Sequence, residues 1–167
     1  MSSIVLVKEY LAKWGLDKEV REFSVSSATV ELAAQALGVA PARIAKSITF
    51  ANGSDQCIMV VTAGDARVNS GKFKSAFGCK ASMLSPLEVK ALTGHDVGGV
   101  CPFALPATTT VYLDISLKRF DTVYPACGSA NSAIALSLAQ LGMLAGTSTW
   151  VDVCNAWQTL PEDADGE

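Results

Sequence analysis

The sequence predicts an α+β fold: one domain in which a mixed β-sheet is surrounded by helices. Three observations carry that expectation. Two apolar strand candidates, residues 44–50 and 57–62, flank an Asn52-Gly53 turn signal, which is the pattern of a β-hairpin. Several helical segments carry their own start and stop residues. Strands and helices alternate without the regular βαβ rhythm of a purely parallel sheet. The chain has 167 residues, of which 50% are hydrophobic, enough for one substantial core. Residues 1–155 read as the domain and 156–167 as an acidic tail.

In chain order, Ile4, Val7, Leu11 and Trp14 give one apolar helical face, and Gly15 ends it. Residues 20–24 are a short strand candidate. Thr29 can cap a second helix, with Glu31 in its first turn, running to Leu37 before Gly38 and Pro41. If residues 44–50 form a strand, Ile44, Lys46, Ile48 and Phe50 share a face. Residues 57–62, CIMVVT, read as the buried return strand. Residues 69–77 suggest a short helix stopped by Gly78, and 81–84 a brief strand. Ser85-Pro86-Leu87-Glu88 combines a capping box with proline at the first helical position. Residues 94–106, GHDVGGVCPFALP, are too rich in glycine and proline for a regular element and too apolar for a plain solvated loop. Strands follow at 111–114 and 122–126, with a short helix at 116–120 between them. Gly128 and Ser129 then make a turn, and an apolar segment follows at 133–136. Ser137-Leu138-Ala139-Gln140 is a second capping-box pattern; Leu138, Leu141 and Leu144 face the core of that helix. Residues 150–154 are the last strand candidate.

Composition bounds the function. There are 13 basic and 16 acidic residues, a net charge of −3, so a general DNA-binding protein is not expected, whereas contact with one end of an RNA is compatible. No apolar run reaches the roughly 18 residues of a membrane span. The first residues lack the charge order and cleavage site of a signal peptide. The expectation is a cytoplasmic protein with no membrane partner. The five cysteines show no CxxC pair, and there is one histidine. Reduced thiols are expected, with neither a metal site nor a cofactor. No GxGxxG or P-loop is present.

Five groups of residues could carry chemistry. Lys46, on an otherwise apolar strand face, is either a desolvated cation for a phosphate, ribose or oxyanion, or a side chain reaching solvent from a sheet edge. Gly98 and Gly99 allow a close approach to the main chain and Pro102 stiffens the loop, which is either a ligand wall or a packed connection. Backbone N–H groups at Gly128-Ser129 could hold an anion; a plain turn is the simpler reading. His95 and Cys101 could form a nucleophilic pair, but a lone loop histidine and a small buried thiol are the more ordinary reading. Asp65, Arg67 and Asn69 either line a pocket or form a satisfied polar turn.

Read together, five segments form an ordered set. They are AKSITF at 45–50, GDARVNSGKFKSAFG at 64–78, LTGHDVGGVCPFALP at 92–106, VYLDISLKRFDTVYPACGSAN at 111–131 and WVDVC at 150–154. This set resembles the YbaK/prolyl-tRNA-synthetase-associated domain family, in its freestanding form, over about residues 29–154. The resemblance implies a barrel-like mixed sheet and hydrolysis of the ester joining a wrong amino acid to tRNA. The expected substrate is a mischarged tRNA, bound at its acceptor 3′ end, with proline tRNA as the carrier. Cysteine, alanine, serine and threonine are the candidate amino acids, and prolyl-tRNA synthetase is a candidate partner. A non-catalytic module that grips the acceptor end or a synthetase is the alternative.

The resemblance further implies that Lys46 matches the lysine on which activity depends. Gly98 to Pro102 match a Gly-x-x-x-Pro loop, and Gly128-Ser129 a later Gly-Ser turn. Lys46, Gly128 and Ser129 are thus the expected catalytic residues. Ser47, Phe50, Gly98, Gly99, Val100, Cys101, Pro102 and Phe103 are expected to contact substrate, with Val100, Cys101 and Phe103 walling a small side-chain pocket. Two departures stand out. Ala104 occupies a position where the family often has glycine, and no histidine follows His95 to select the amino acid.

Overall fold

The computed structural model describes residues 2–157. Its organising element is the hairpin of β2 (Ile44–Ala51) and β3 (Cys57–Ala63), antiparallel with Lys46 opposite Thr62. Every residue of β3 is buried, as expected of a near-continuous apolar strand in the middle of a sheet. The Asn52-Gly53 signal does turn the chain. It opens a five-residue connection, however, in which the Asn52 N–H donates to the Gln56 carbonyl at 3.0 Å, rather than a two-residue turn.

Four strands extend the hairpin. β5 (Thr109–Asp114) runs parallel to β3, and β9 (Trp150–Val151) parallel to β5. On the other side β6 (Thr122–Pro125) runs parallel to β2, and β8 (Leu136–Ser137) antiparallel to β6. The result is a curled, mixed six-stranded half-barrel in the order β8-β6-β2-β3-β5-β9. β6 pairs only with Ile44 and Ala45. The free edge farther along β2 is taken up by the 81–84 segment: Ala51 N–H donates to Ser82 O at 2.8 Å, and Met83 bridges Phe50. The brief strand expected there is therefore an edge cover with a single bridge. Two small ladders complete the pairing, β1 (Arg21–Glu22) with β7 (Ser132–Ala133), and β4 (Arg67–Val68) with β10 (Cys154–Asn155).

Five helices pack around the sheet, and their ends follow local chemistry. They are α1 (Ser3–Ala12), α2 (Val30–Leu37), α3 (Ser70–Phe77), α4 (Pro86–Thr93) and α5 (Leu138–Ala145). Thr29 caps α2, and Asn69 caps α3. Both anticipated capping boxes, Ser85/Glu88 and Ser137/Gln140, are complete. Val7 and Leu11 of α1 and Leu141 and Leu144 of α5 are fully buried in the main core with Phe73, Phe103 and Leu113. A smaller cluster, Ala33, Ala34 and Ile44, lies under α2. Among the described residues no helix is long and apolar enough to cross a membrane.

Residues 150–154 form no single strand. The buried carboxylate of Asp114 accepts the N–H groups of Ser116 and Val153, both at 2.9 Å. It thereby starts the 3₁₀ turn Ile115–Arg119 and turns the chain between β9 and β10. Contacts with the domain continue past residue 155, for Trp157 packs on the Arg119 guanidinium at 5.0 Å. Of the acidic tail expected at 156–167, residues 158–167 lie outside the described residues. Asp114→Ala should cost about 3 kcal/mol, since two buried donors lose their acceptor. Asp114→Asn, which keeps one acceptor oxygen, should cost less. Urea unfolding of both variants checks the order.

Candidate active site

Lys46 projects from the middle of the hairpin strand β2. Its Nζ donates to the Gly64 carbonyl at 3.3 Å. The side chain is half-buried, and burial pulls its pKa below the ordinary lysine value. The nearby Arg67 charge acts in the same direction, while Asp65 and Glu31 oppose it. Cys154 also lies close, but burial and then the Asp114 carboxylate push its pKa up to about 12. It is therefore a neutral thiol at physiological pH and does not itself compensate the lysine charge.

Lys46 lines a cavity of about 400 Å³, within the size range of small-ligand sites. The walls are mostly apolar: Val30 and Ala33 of α2, Ile44 and Ile48 of β2, Val89 of α4, and Tyr124 of β6. Gly98 and Val100 supply the wall from the glycine-rich loop, and Ser27 and Ser47 also line the cavity. The buried hydroxyl oxygens of both serines lack a hydrogen-bond partner among the described residues.

The loop and the Gly-Ser turn meet directly. A β-carbon on Gly99 would lie 2.7 Å from Gly128 C and Ser129 N, closer than any side chain permits. A β-carbon on Gly128 would in turn lie 2.7 Å from Ser3 Oγ. Gly128 and Ser129 therefore back the loop from behind and are not cavity-lining residues. Ser129 Oγ donates to Asn131 Oδ1 at 2.9 Å and lies 2.8 Å from Ser132 Oγ, so its hydroxyl is engaged within its own turn.

Other expected contact residues also lie off the cavity. Phe50 shares the strand parity of Lys46 but stacks in the core on Phe73, with ring centroids 4.6 Å apart. Cys101 and Phe103 are fully buried, because the loop folds its apolar residues inward after Val100. Gly99 abuts the Gly-Ser turn, and Pro102 faces a different surface recess, beside Tyr10 and Leu105. Of the expected pocket walls, Val100 alone lines the cavity. The residues that sequence reasoning missed are Ser27, Ala28, Thr29 and Val30 at the start of α2, with Met83, Val97 and Tyr124. Thr29 was legible as a helix cap, but no sequence spacing ties that cap to β2.

His95 is 1% exposed and holds the loop in place. Its Nε2 faces the Phe103 carbonyl at 2.9 Å, which can only accept, so Nε2 carries the proton. Nδ1 then accepts from the Ser3 hydroxyl. Cys101 Sγ is 3.5 Å from Nε2, but burial pushes the thiol to about 12. The result is a neutral thiol beside a neutral imidazole with no access to the cavity, a packing arrangement rather than a nucleophilic pair. Ala104 adopts φ 56°, the left-handed conformation for which glycine is the ordinary residue.

The comparisons with known proteins agree with this geometry. Residues 25–143 match the model of the aminoacyl-tRNA editing domain. The chain is 50% identical over 156 residues to the uncharacterized protein YwhH of Bacillus subtilis, spanning 93% of this chain and 99% of that one. It is 30% identical over 90 residues to the multifunctional Ser/Thr-tRNA deacylase ProXp-y of Escherichia coli, about half of each chain. A solved structure described as a candidate trans-editing enzyme for prolyl-tRNA synthetase superposes with a TM-score of 0.82 at 28% identity, covering 93% of this chain and 98% of that one. The curled half-barrel is thus the fold of a tRNA-editing domain. The chain belongs to the aminoacyl-tRNA editing domain family.

Two outcomes test this site. Burial, the largest cause, lowers the His95 pKa below its free value of 6.5. As pH falls, the unfolded chain therefore takes up this proton first. The stability from the neutral ring is whole above about pH 6.5 and is lost progressively below it. Urea midpoints between pH 7.5 and 5 should fall in the wild type, and less steeply in His95→Gln. Ala104→Gly should leave the fold intact and raise stability by about 0.5–1 kcal/mol, the relieved strain exceeding the added chain entropy; thermal unfolding measures it.

Proposed function

We propose that this protein is an aminoacyl-tRNA deacylase that acts in trans, hydrolysing the ester between a small amino acid and a mischarged tRNA, with proline tRNA as the carrier. The observation that carries the reading is that Lys46 lines a mostly apolar cavity of about 400 Å³ together with Gly98 and Val100 of the glycine-rich loop. The names of the relatives support it, since one is a Ser/Thr-tRNA deacylase and prolyl-tRNA ligases of several bacteria share a segment with this chain. That segment is 18% of the Bacillus pumilus ligase, at 32% identity, so prolyl-tRNA synthetase as a partner is part of the proposal.

The chemistry asked of the protein is modest, because an ester is already activated compared with an amide. A water molecule, its proton relayed through the neighbouring ribose hydroxyl, attacks the ester carbonyl. The carbon–oxygen double bond opens to an oxyanion, and the tetrahedral centre collapses by expelling the ribose oxygen, which takes up a proton. Backbone donors of the Gly98–Val100 wall stabilise the oxyanion; one well-placed donor is worth about 3 kcal/mol. Lys46 supplies positive potential and holds the ribose or phosphate of the terminal adenosine. Apolar walls at Val30, Ile48 and Val100 admit a small side chain. Gly128 and Ser129 position the loop through its backbone.

Lys46→Ala should lower the rate of deacylation by about 100-fold or more while leaving the circular-dichroism melt unchanged. Full activity in that variant would remove Lys46 from the mechanism. Cys101→Ser should retain activity, since the thiol is sealed in the core; complete loss with a normal melt would restore the thiol to the reaction. Multiple turnovers on a panel of mischarged tRNAs separate an enzyme from a module that only grips the acceptor end.

A further inference from the structure

Lys46, which lines the cavity, reaches the turn before the strand pair β4–β10, and three further cations stand on or against that turn and pair: Arg67, Lys72 and Arg119. Two are neutralised. Arg119 forms a two-pronged pair with Asp65, at 2.5 and 2.9 Å. Lys72 pairs with Asp152 at 3.1 Å and donates to the Cys154 carbonyl at 3.0 Å. Lys46 has the Gly64 carbonyl at 3.3 Å and no carboxylate partner among the described residues. The Arg67 guanidinium is exposed and has neither a hydrogen-bond nor an ion-pair partner among the described residues.

The backbone fixes where Arg67 stands. The Lys46 amine touches Gly64, which abuts Val30 of the cavity wall, and Arg67 follows three residues later. Arg67 is held by β-pairing opposite Asn155, next to Cys154, which lies close to both Lys46 and Lys72. The charge of Arg67 reaches the Lys46 amine and opposes it. Two cations within electrostatic reach repel one another, and Asp65, the nearest carboxylate in sequence, is committed to Arg119. An anion lying between them would reverse the sign of the interaction.

We propose that Arg67 is a phosphate-positioning residue, which with Lys46 brackets a phosphodiester of the substrate's acceptor end at the rim of the cavity. This rests on the tRNA-ester reading of that cavity, and it accounts for how a chain of net charge −3 engages RNA: one local pair of unneutralised cations meets the strand. Planar guanidinium suits a phosphate better than an ammonium does. Arg67 acts by holding RNA, so its contribution belongs to binding.

The experiment compares wild type, Arg67→Ala and Arg67→Lys in two assays. In deacylation of mischarged tRNA, Arg67→Ala should raise KM roughly five- to tenfold with little change in kcat, and flatten the dependence of log(kcat/KM) on log[salt] by about 0.7–1. Arg67→Lys should recover part of the loss. On aminoacyl-adenosine, an ester with no phosphate, wild type and Arg67→Ala should differ by less than twofold. The second assay is fluorescence anisotropy with an uncharged acceptor minihelix, which reads binding without chemistry; Arg67→Ala should weaken it by a similar factor. Unchanged KM, salt slope and minihelix affinity would overturn the proposal. So would an equal loss on aminoacyl-adenosine. A wild type that binds the minihelix through Arg67 but deacylates nothing would sink the deacylase reading and leave the phosphate contact standing.

Discussion

The contact on which the site depends is the approach of one backbone to another, Gly99 against Gly128 and Ser129. A β-carbon at Gly99 would sit 2.7 Å from two main-chain atoms, so no side chain fits there without moving a strand connection. That approach fixes the distance between the glycine-rich loop and the strand β6. Because β6 pairs in parallel with the start of β2, it also fixes the loop relative to Lys46. The second layer repeats the device: Gly128 lies against Ser3 at the start of α1, and Ser3 is held by the buried His95 of the loop itself. Loop, turn and helix thus form a closed set of contacts, each requiring the next.

This closure divides the labour in the loop. Gly98 and Val100 face the cavity and Gly99 abuts the Gly-Ser turn, while Cys101 and Phe103 go inward and anchor the segment. The anchoring residues take no part in contacting a ligand, yet they decide where the ligand-facing backbone lies. The left-handed Ala104 ends the anchored stretch. Its strain of about 1 kcal/mol is small against the burial of a single phenylalanine side chain, roughly 1.5–3 kcal/mol.

Electrostatics follow the same geometry. The cavity is apolar enough to hold the Lys46 amine in a poorly hydrated place, and the carboxylates nearby are either committed, as Asp65 is to Arg119, or on the flank, as Glu31 is. A half-buried cation beside an uncommitted arginine is costly for the folded protein in isolation. Such local cost without structural benefit marks a place where a ligand supplies the missing charge.

The sequence by itself determined the pieces. The caps at Thr29, Ser85 and Ser137 placed three helices to within a residue, because a capping hydroxyl bonds an N–H only two or three positions away. The hairpin was legible because strand, turn and return strand are consecutive. The same locality placed Lys46 on an apolar strand and made the 94–106 segment stand out. The tertiary structure alone decided which pieces meet. That the start of α2 forms a wall of the Lys46 cavity depends on the parallel pairing of β2 with β6 and on α2 packing over Ile44. Neither leaves a periodic mark in the chain. Phe50 lies off the cavity because strand parity gives a face but not how far along that face a cavity extends. The inward turn of Cys101 and Phe103 was not legible because an irregular loop has no period at all, so only the core it enters decides which side chains point inward.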